Sequence, residues 1–402
     1  MSLSPHARTT PPSDRVGLWL IGARGSVATT AVLGALAIRS GLAGPTGLVG
    51  SLGEVAQAGL PDLDRLVFGG HDVSAEPLTK RAEALARQGV VPAVLPTALD
   101  QELHDLERRL RPGIDGRCDE PQAQAIERVT RDLIAFREEH GLARVVVVDV
   151  SSTEPPVEIE PGPLTDADLL EAALAAGQAP LPPSSAYVLA AYRAGCSVVS
   201  FTPSPGPRLP VLVEMAERLR LPWAGSDGKT GETLLKSALA PMFTTRALDV
   251  RSWASYNMLG GGDGATLADP AVAASKTVSK NRGLAAMLGH AVDGPMHIDN
   301  VPSLGDWKTA MDHVTFEGFL GTRMSVQITW NGCDSALAAP LVLDLARLLL
   351  RAHEVGRHGP QTALGFFFKD PAGSDEHRLS EQWRALVDWC QELGADGSEV
   401  DG

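Results

Sequence analysis

Lysine is scarce in this chain, and its lysines are unevenly placed. Only seven of the 35 basic residues are lysine, and six of the seven lie between residues 229 and 369. A lysine can lose its proton when it is removed from water, whereas an arginine cannot, so proton transfer at a carbonyl compound favours lysine. Chance clustering of surface lysines is the alternative interpretation. The six residues are Lys229, Lys236, Lys276, Lys280, Lys308 and Lys369.

Two of these lysines form a pair, and a third follows an apolar run. Lys276 and Lys280 are four residues apart, so a helix would place both on one face. Neighbouring ammonium groups repel each other, which favours an anion bound between them or the loss of one proton. Lys369 follows three phenylalanines, which would partly desolvate its amine. The alternatives are a solvated helix face and a lysine stem that lies along apolar surface.

Residues 225–236, GSDGKTGETLLK, place a polar glycine loop in front of a predicted helix. Lys229, Thr230 and Thr233, together with the free N–H groups of a helix N-terminus, could hold a phosphate ester. The segment is not a Walker A loop, because the spacing G-x-x-x-x-G-K-[ST] is absent. An ordinary helix start, capped by Asp227 or Thr230, is the alternative.

Residues 255–264, SYNMLGGGDG, end a predicted strand in a second glycine loop. Three consecutive glycines let the backbone approach a ligand closely. Asn257 and Asp263 would bring a neutral and an anionic hydrogen-bonding group to the same ligand. A plain hairpin turn is the alternative, although Asp-Gly alone would suffice for one.

Other catalytic arrangements are not indicated. The ten histidines show no H-E-x-x-H or other metal-ligand spacing, and no G-x-S-x-G nucleophile elbow occurs. The four cysteines lie far apart without a C-x-x-C pair, which argues against a zinc ribbon or a disulfide scaffold. We therefore expect neither a hydrolase nor a metalloprotease, and no bound metal.

A strand–turn–helix pattern near the N-terminus could bind a dinucleotide. An apolar run meets the turn Gly-Ala-Arg-Gly, and an Ala/Leu-rich segment follows. Gly22 permits the tight turn. A helix that opens at Gly25, Ser26 and Val27 would present free N–H groups to a pyrophosphate. Because the turn is G-x-x-G and lacks the full three-glycine fingerprint, a plain strand–helix turn is the alternative.

Strand-like and helix-like segments alternate through the first 220 residues. Residues 144–150, RVVVVDV, are apolar on both faces, as expected of an interior strand in a parallel sheet. The alternation predicts a doubly wound α/β sheet with long surface loops at 112–121 and 155–183. The predicted strands are 47–51, 66–68, 143–150 and 197–201, and the predicted helices are 78–88, 102–110, 122–140, 184–194 and 211–220.

The pattern changes near residue 225. Short strand-like runs, glycine turns and most of the lysines follow, and a long apolar helix pattern returns after Asp334. Such a helix is better packed on the first sheet than left alone. We therefore predict an α/β fold in which a doubly wound, Rossmann-type dinucleotide domain, residues 1–230 plus 334–402, carries an inserted α+β catalytic and oligomerisation domain at 231–333.

The composition limits the partners. Acidic residues outnumber basic ones by 49 to 35, and the net charge of −14 argues against a nucleic-acid binder or an anionic-membrane binder, since both need a basic face. No run of about 18 apolar residues occurs, and the N-terminus lacks the apolar core of a signal peptide. Together with the scattered cysteines, these features predict a soluble, cytoplasmic protein.

Several segments, in the same order along most of the chain, resemble the inositol-1-phosphate synthase family. Rare motifs that share an order are more specific than any one motif. The motifs are VFGGHDVS near 67–74, VVVVDVSSTE near 145–154, PSSAYVLAAYRAGCSVVSFTPS near 183–204, SDGKTGETLLKS, SYNMLGGGDG, SKTVSK, PSLGDWKTAMDH, NGCDSALAAPLVLDL and FFFKDP.

The resemblance implies a cyclase without net redox change, assembled as a homotetramer. A held NAD oxidises a sugar phosphate, the sugar closes on itself by an internal aldol reaction, and the product is then reduced. Such a closure needs loss of a proton beside a ketone and a cation near each developing oxyanion. By motif correspondence, Lys276 and Lys369 are the implied catalytic amines, and Lys280 and Lys308 the implied partners of the phosphate.

The resemblance also implies the other contacts. Thr230, Gly231 and Thr233 would assist at the phosphate. Asp72 corresponds to the acid that binds the ribose, although the simple spacing rule would nominate Glu54. The implied groups around the nicotinamide and the reacting carbons are Asp227, Asn257, Asp263 and Asp334, with Asp227 and Asp263 also catalytic. The remaining implied cofactor contacts are Gly22, Arg24, Gly25, Ser26, Val27, Ser151 and Ser335.

The chain departs from the family in its GARGS turn and at three further positions. Gly261 and Gly262 stand where many members carry asparagine, and Glu232 stands where some carry glutamine. An anionic Glu232 near phosphate would be unfavourable unless its side chain turns away. The glycines remove polar groups near the sugar, so fructose 6-phosphate closing to a five-membered ring is an alternative to glucose 6-phosphate closing to inositol 1-phosphate. A simple NAD-dependent dehydrogenase and a non-catalytic NAD-binding protein are alternatives of another class.

Overall fold

The computed structural model describes residues 15–115, 119–260 and 283–400, the last four of these as backbone alone. Two β-sheets and the helices around them make up this part of the chain. The described strands are β1 Val16–Ile21, β2 Leu66–Asp72, β3 Leu110–Pro112, β4 Val145–Asp149, β5 Ser197–Ser200, β6 Pro222–Gly225, β7 Asp249–Leu259, β8 Met296–Asn300, β9 Trp307–Glu317, β10 Arg323–Cys333 and β11 Gly359–Pro360.

The described helices lie mostly between the strands of the first sheet. Residues 283–288, at the margin of the described chain, are also helical. The named helices are α1 Ser26–Arg39, α2 Gly53–Ala56, α3 Leu78–Arg87, α4 Leu95–Ala98, α5 Asp100–Glu107, α6 Gln122–Glu139, α7 Ala167–Ala175, α8 Pro183–Arg193, α9 Pro210–Leu219, α10 Glu232–Thr244, α11 Asp334–Glu354 and α12 Leu379–Val400. Searched over the described residues, none is both long and apolar enough to cross a bilayer.

The first sheet is parallel throughout and runs β11-β6-β5-β4-β1-β2-β3. All residues of β1 and β4 are buried, because helices cover both faces of the sheet. The strand order reverses between β1 and β4. In such sheets the crevice at this reversal, beyond the carboxyl ends of the strands, is where ligands bind.

Each face of this sheet has its own apolar core. On one face α1 packs against α11, and Leu33, Leu343 and Leu386 lie in one buried cluster. On the other face α6 packs against α8, around residues such as Leu133 and Leu189. The long apolar helix after Cys333 therefore lies on the first sheet, and the doubly wound α/β fold class is confirmed.

The second sheet is formed, within the described residues, by the strands between 249 and 333 in the order β10-β9-β7-β8. β9 is antiparallel to β7 and β10, whereas β7 and β8 are parallel. Phe243 of α10 packs against Trp253 and Phe316 on one face of this sheet. Our division of the chain at 231 and 333 stays an interpretation of this arrangement.

Two local predictions are wrong. The strand predicted at 47–51 is a 3₁₀ turn, Val49–Ser51, whose first N–H donates to the carboxylate of Asp344 at 2.6 Å. The surface loop predicted at 155–183 contains α7. The Asp166 carboxylate caps this helix by accepting the N–H of Leu169 at 2.9 Å, and the segment ADLLEAALA consists of good helix formers.

Candidate active site

Two adjoining cavities lie at the carboxyl ends of the first sheet. One, of about 180 Å³, adjoins the glycine turn after β1, and the other, of about 130 Å³, extends toward the second sheet. The two share Val27, Ser151, Lys308 and Asp334 in their walls. Gly25, Ser26 and Ser335 line the first only. Six of the predicted site residues line only the second cavity, namely Asp227, Thr230, Gly231, Thr233, Asn257 and Lys369.

The glycine turn has the geometry of an anion site. Gly22 has a φ of 81°, and a Cβ there would lie 2.9 Å from the Cα of Ser151, so the position requires glycine. Gly25 precedes α1, and no side chain in the described part of the chain caps that helix. Its first N–H groups therefore point to the cavity as partners for a pyrophosphate.

Asp72 closes β2 beside this turn. Its carboxylate accepts the backbone N–H of Arg24 at 2.6 Å and that of Ser74 at 2.7 Å. Glu54, which the spacing rule nominates, lies exposed in α2. Such folds hold the ribose at the end of the strand next to the glycine turn. Asp72, which the motif GGHD indicates, is therefore better placed to bind it than Glu54.

A backbone bridge brings together Asp227 and Lys369. The loop after β6 and the segment before α12 run antiparallel, and the N–H of Lys369 donates to the carbonyl of Asp227 at 2.7 Å, while that of Lys229 donates to Phe367 at 2.8 Å. Asp227 has a φ of 59°. The result is an ion pair in the cavity wall, 2.8 Å from Lys369 Nζ to Asp227 Oδ1.

Lys308 reaches the cavity from β9. Its Nζ lies 3.9 Å from Glu232 Oε2 and 4.0 Å from Asp334 Oδ2, and its side chain is largely buried. Thr230 Oγ1 lies 3.4 Å from the other oxygen of Asp334. The N-terminus of α10, which follows Gly231, faces the same space, so cationic, hydroxyl and N–H donors converge there.

A buried charge network behind this wall was not predicted. Lys236 Nζ lies 2.7 Å from Glu232 Oε1 and 3.5 Å from Asp312 Oδ1, and it donates to Ser255 Oγ at 2.8 Å. The Glu232 carboxylate thus turns toward lysines, which neutralise it near the expected phosphate. The i, i+4 spacing of Glu232 and Lys236 was the only available signal, since Asp312 lies on a different element.

Lys229 was predicted to help hold a phosphate ester, but its amine makes other contacts. Its Nζ donates to Gln382 Oε1 at 2.5 Å and lies 5.7 Å from the centre of the Phe366 ring. Burial lowers the pKa of this amine to about 8. Lys229 lines a separate, smaller cavity and neither of the two described above, and its contact with Gln382 connects the loop to α12.

Asn257 on β7 is fully buried and lines the second cavity. Within the described residues neither its amide nitrogen nor its amide oxygen has a hydrogen-bond partner. A buried polar group without partners is unfavourable, which indicates that a ligand supplies them.

The remaining predicted residues lie elsewhere. Asp263, Lys276 and Lys280 fall outside the described residues. Gly22, Arg24 and Asp72 lie at the glycine turn but line neither of the two adjoining cavities. A search of the described histidines, cysteines and carboxylates shows no group of three or more that could hold a metal.

Comparison with known proteins gives a consistent result. A family model described as myo-inositol-1-phosphate synthase matches residues 16–391. Inositol-3-phosphate synthase 1 of Bacteroides thetaiotaomicron is 31% identical over 94% of this chain and 95% of its own length. The human protein of the same name is 30% identical over 90% of this chain and 75% of its own length.

Solved structures share the fold. A crystal structure of inositol-3-phosphate synthase from Caenorhabditis elegans has a TM-score of 0.82 at 23% identity, covering 94% of this chain and 86% of that one. A myo-inositol-1-phosphate synthase-related protein from Thermotoga maritima has a TM-score of 0.72 at 21% identity, covering 94% and 98%. With the family model spanning nearly the whole sequence, this chain belongs to the myo-inositol-1-phosphate synthase family.

Proposed function

We propose that the chain is an NAD-dependent cyclase that converts glucose 6-phosphate to inositol 1-phosphate without net oxidation. The relatives named above are inositol-3-phosphate synthases. The observation that carries the proposal is a single cavity lined by both Lys308 and Lys369 and joined to the space beside the glycine turn. Amines, a phosphate site and a dinucleotide site within one crevice are what this reaction needs.

NAD is a group that the residues of the crevice fit. The uncapped N-terminus of α1 would bind the pyrophosphate, and Asp72 would bind the adenosine ribose. The unsatisfied amide of Asn257 supports a partner such as the nicotinamide carboxamide. When bound, NAD would accept a hydride from the sugar and later return it.

The substrate phosphate would bind at the N-terminus of α10. Thr230 and Thr233 supply hydroxyl donors, and Lys308 supplies a positive charge at the cavity wall. Gly231 at the start of the helix leaves its first N–H groups accessible to the phosphate oxygens. The resemblance adds Lys280, which lies outside the described residues. Binding of the phosphate would fix the position of the sugar in the crevice.

Lys369 and Asp227 would move the protons. Their ion pair holds the Lys369 amine in place at the cavity wall. In its neutral form this amine would take the proton of the hydroxyl that is oxidised, and the ammonium form would return a proton when the carbonyl is reduced. Lys276 is the implied second amine for the aldol closure. A charged Lys308 near the developing oxyanion stabilises it.

The test is incubation of the purified chain with each hexose phosphate and a small amount of NAD, followed by NMR of the phosphorylated product. We expect inositol monophosphate from glucose 6-phosphate, many turnovers for each NAD and no build-up of reduced nicotinamide absorbance.

Other outcomes would contradict the proposal. A five-membered cyclitol phosphate from fructose 6-phosphate would identify the alternative substrate. Reduced nicotinamide in amounts equal to the product would identify a simple dehydrogenase, and dinucleotide binding without any product would identify a non-catalytic protein.

A further inference from the structure

The end of β2 carries two opposing signals for dinucleotide choice. An acidic residue at this point hydrogen-bonds the ribose 2′-hydroxyl of NAD, whereas an arginine nearby accommodates the 2′-phosphate of NADP. This chain has both: Asp72 ends the strand, and Arg24 lies in the glycine turn beside it.

The arginine is already engaged by other groups. Arg24 Nη2 donates to Glu107 Oε1 at 2.5 Å, and Nη1 donates to the carbonyl of Ser74 at 3.2 Å. Its side chain is 13% exposed, and its Nε is buried without a hydrogen-bond partner among the described residues. One donor of the guanidinium thus has no partner among the described residues, while its positive charge is neutralised by Glu107.

Glu107 is itself held in place. It is the last residue of α5, and its second oxygen accepts the N–H of Leu78, the first residue of α3, at 2.8 Å. Both carboxylate oxygens are therefore occupied, one by a helix N-terminus and one by the guanidinium. Such an anchored ion pair has less side-chain freedom to lose than one on an open surface.

We propose that Glu107 makes the chain select NAD against NADP, by neutralising and holding Arg24 next to Asp72. This inference rests on the proposed use of a dinucleotide. A 2′-phosphate placed there would meet the carboxylates of Asp72 and Glu107, and the guanidinium of Arg24 is already occupied by Glu107. Like charges brought together in this way are strongly unfavourable. Without the Glu107 charge, Arg24 is released to pair with the 2′-phosphate.

The experiment is titration calorimetry of the full chain with NAD and with NADP, independent of turnover. Glu107→Gln keeps an acceptor for the Leu78 N–H and removes the charge. We expect NADP affinity to rise about tenfold in this variant, with NAD affinity nearly unchanged. Glu102→Gln, on the exposed side of the same helix, is the matched control and leaves both affinities unaltered.

A second substitution separates release of the arginine from simple loss of negative charge. In the Glu107→Gln background, Arg24→Ala abolishes the gain in NADP affinity if the arginine mediates it. Persistence of the gain without Arg24, or an unchanged NADP affinity in Glu107→Gln beside normal NAD binding, would overturn the inference alone. Absence of NAD and NADP binding to the unaltered chain would overturn the proposed function together with it.

Discussion

Asp227 and Lys369 are 142 residues apart in sequence, yet their side chains meet in the cavity wall. The pairing depends on the antiparallel backbone bridge between their loops. The side chains are 11% and 19% exposed, so the interaction is shielded from water more than a surface pair would be. This geometry keeps an amine and a carboxylate together before any ligand arrives.

We expect Lys369→Met to lower the rate of cyclisation by about a thousandfold, since a positioned acid–base group contributes on this scale. NAD affinity should change little, because the proposed contacts of NAD are Asp72, Asn257 and the N-terminus of α1 and do not include Lys369. Product formation and calorimetric titration with NAD measure the two effects. Lys80→Met, at an exposed lysine, is the control. Near-normal cyclisation in Lys369→Met would contradict the role of the amine.

Asn257→Leu tests whether a ligand completes the buried amide. The substitution removes two unsatisfied polar atoms at similar volume, so thermal unfolding of the ligand-free chain should occur at the same temperature or higher. NAD should bind about tenfold more weakly, because the ligand loses its hydrogen bonds. Asn300→Leu, at an exposed residue of β8, should change neither quantity. A destabilised variant with normal NAD binding would count against the assignment.

The site residues that sequence reasoning found were those in distinctive motifs. Asp227 and Thr230 lie in a glycine loop and Asn257 lies just before another, so one segment of sequence was enough to suggest a ligand role for each. The structure brings the three to one cavity. Partners across the fold were not readable in this way. The contacts of Lys236 with Asp312 and of Arg24 with Glu107 join elements whose approach depends on tertiary packing.

At the scale of elements, α10 joins the phosphate site to a buried ion network. Its first residue, Glu232, and its fifth, Lys236, face the second sheet and contact Asp312. All three side chains are buried, each with less than about one tenth of its surface exposed. The helix therefore needs all three charges to remain paired.

Lys236→Met leaves two carboxylates in the interior without their shared cation. We expect the free energy of unfolding to fall by about 3 to 5 kcal/mol. Adding Glu232→Gln removes one of the stranded charges and should restore part of that loss. Chemical denaturation of both variants, with Lys80→Met as control, measures this. Equal stability of Lys236→Met and the unaltered chain would show that the network is not needed for stability.

Helices and strands were predicted correctly where the pattern of apolar residues continued over a whole segment. The helix predicted at 122–140 is observed as Gln122–Glu139, and the strand predicted at 143–150 as Val145–Asp149. β6 was missed because it has four residues and starts with proline, which is a weak strand signal. Such short strands owe their place to neighbours in the sheet more than to their own sequence.

At the scale of the whole molecule, buried ionisable groups make stability depend on pH. Burial lowers the pKa of His353, on α11, from its ordinary 6.5 to about 4, and the nearby positive charge of Arg144 adds to the effect. The unfolded chain therefore takes up this proton first as the pH falls. Burial raises the pKa of the Asp344 carboxyl to about 7, so here the folded chain takes up the proton first. Asp344 therefore adds to stability as the pH falls, whereas His353 subtracts from it.

Comparing variants isolates the histidine. Relative to the unaltered chain, His353→Leu should gain stability as the pH falls from about 6.5 to about 4, since it no longer has a proton to take up on unfolding. Urea unfolding at a series of pH values checks this. Leu42→Ala, at an exposed residue that carries no titratable group, should give no such trend. A difference that stays constant with pH would contradict the expected coupling.

We also propose a homotetramer, as the resemblance implies. Apolar side chains on and next to the second sheet are exposed in the single chain, with Phe319 88% and Leu320 87% exposed. We expect sedimentation at the mass of four chains. Phe319→Asp should weaken the assembly, whereas Leu42→Asp, just after α1, should not. Sedimentation of the unaltered protein as a monomer would contradict the proposal.

The antiparallel bridge between the Asp227 and Lys369 loops has a consequence for biosynthesis. Translation proceeds at about 5 to 20 residues per second, so the 142 residues between the pair take roughly 7 to 30 seconds to make. Throughout that interval a nascent chain contains Asp227 but lacks the amine of Lys369. A polypeptide released during that interval could therefore not form the proposed acid–base pair.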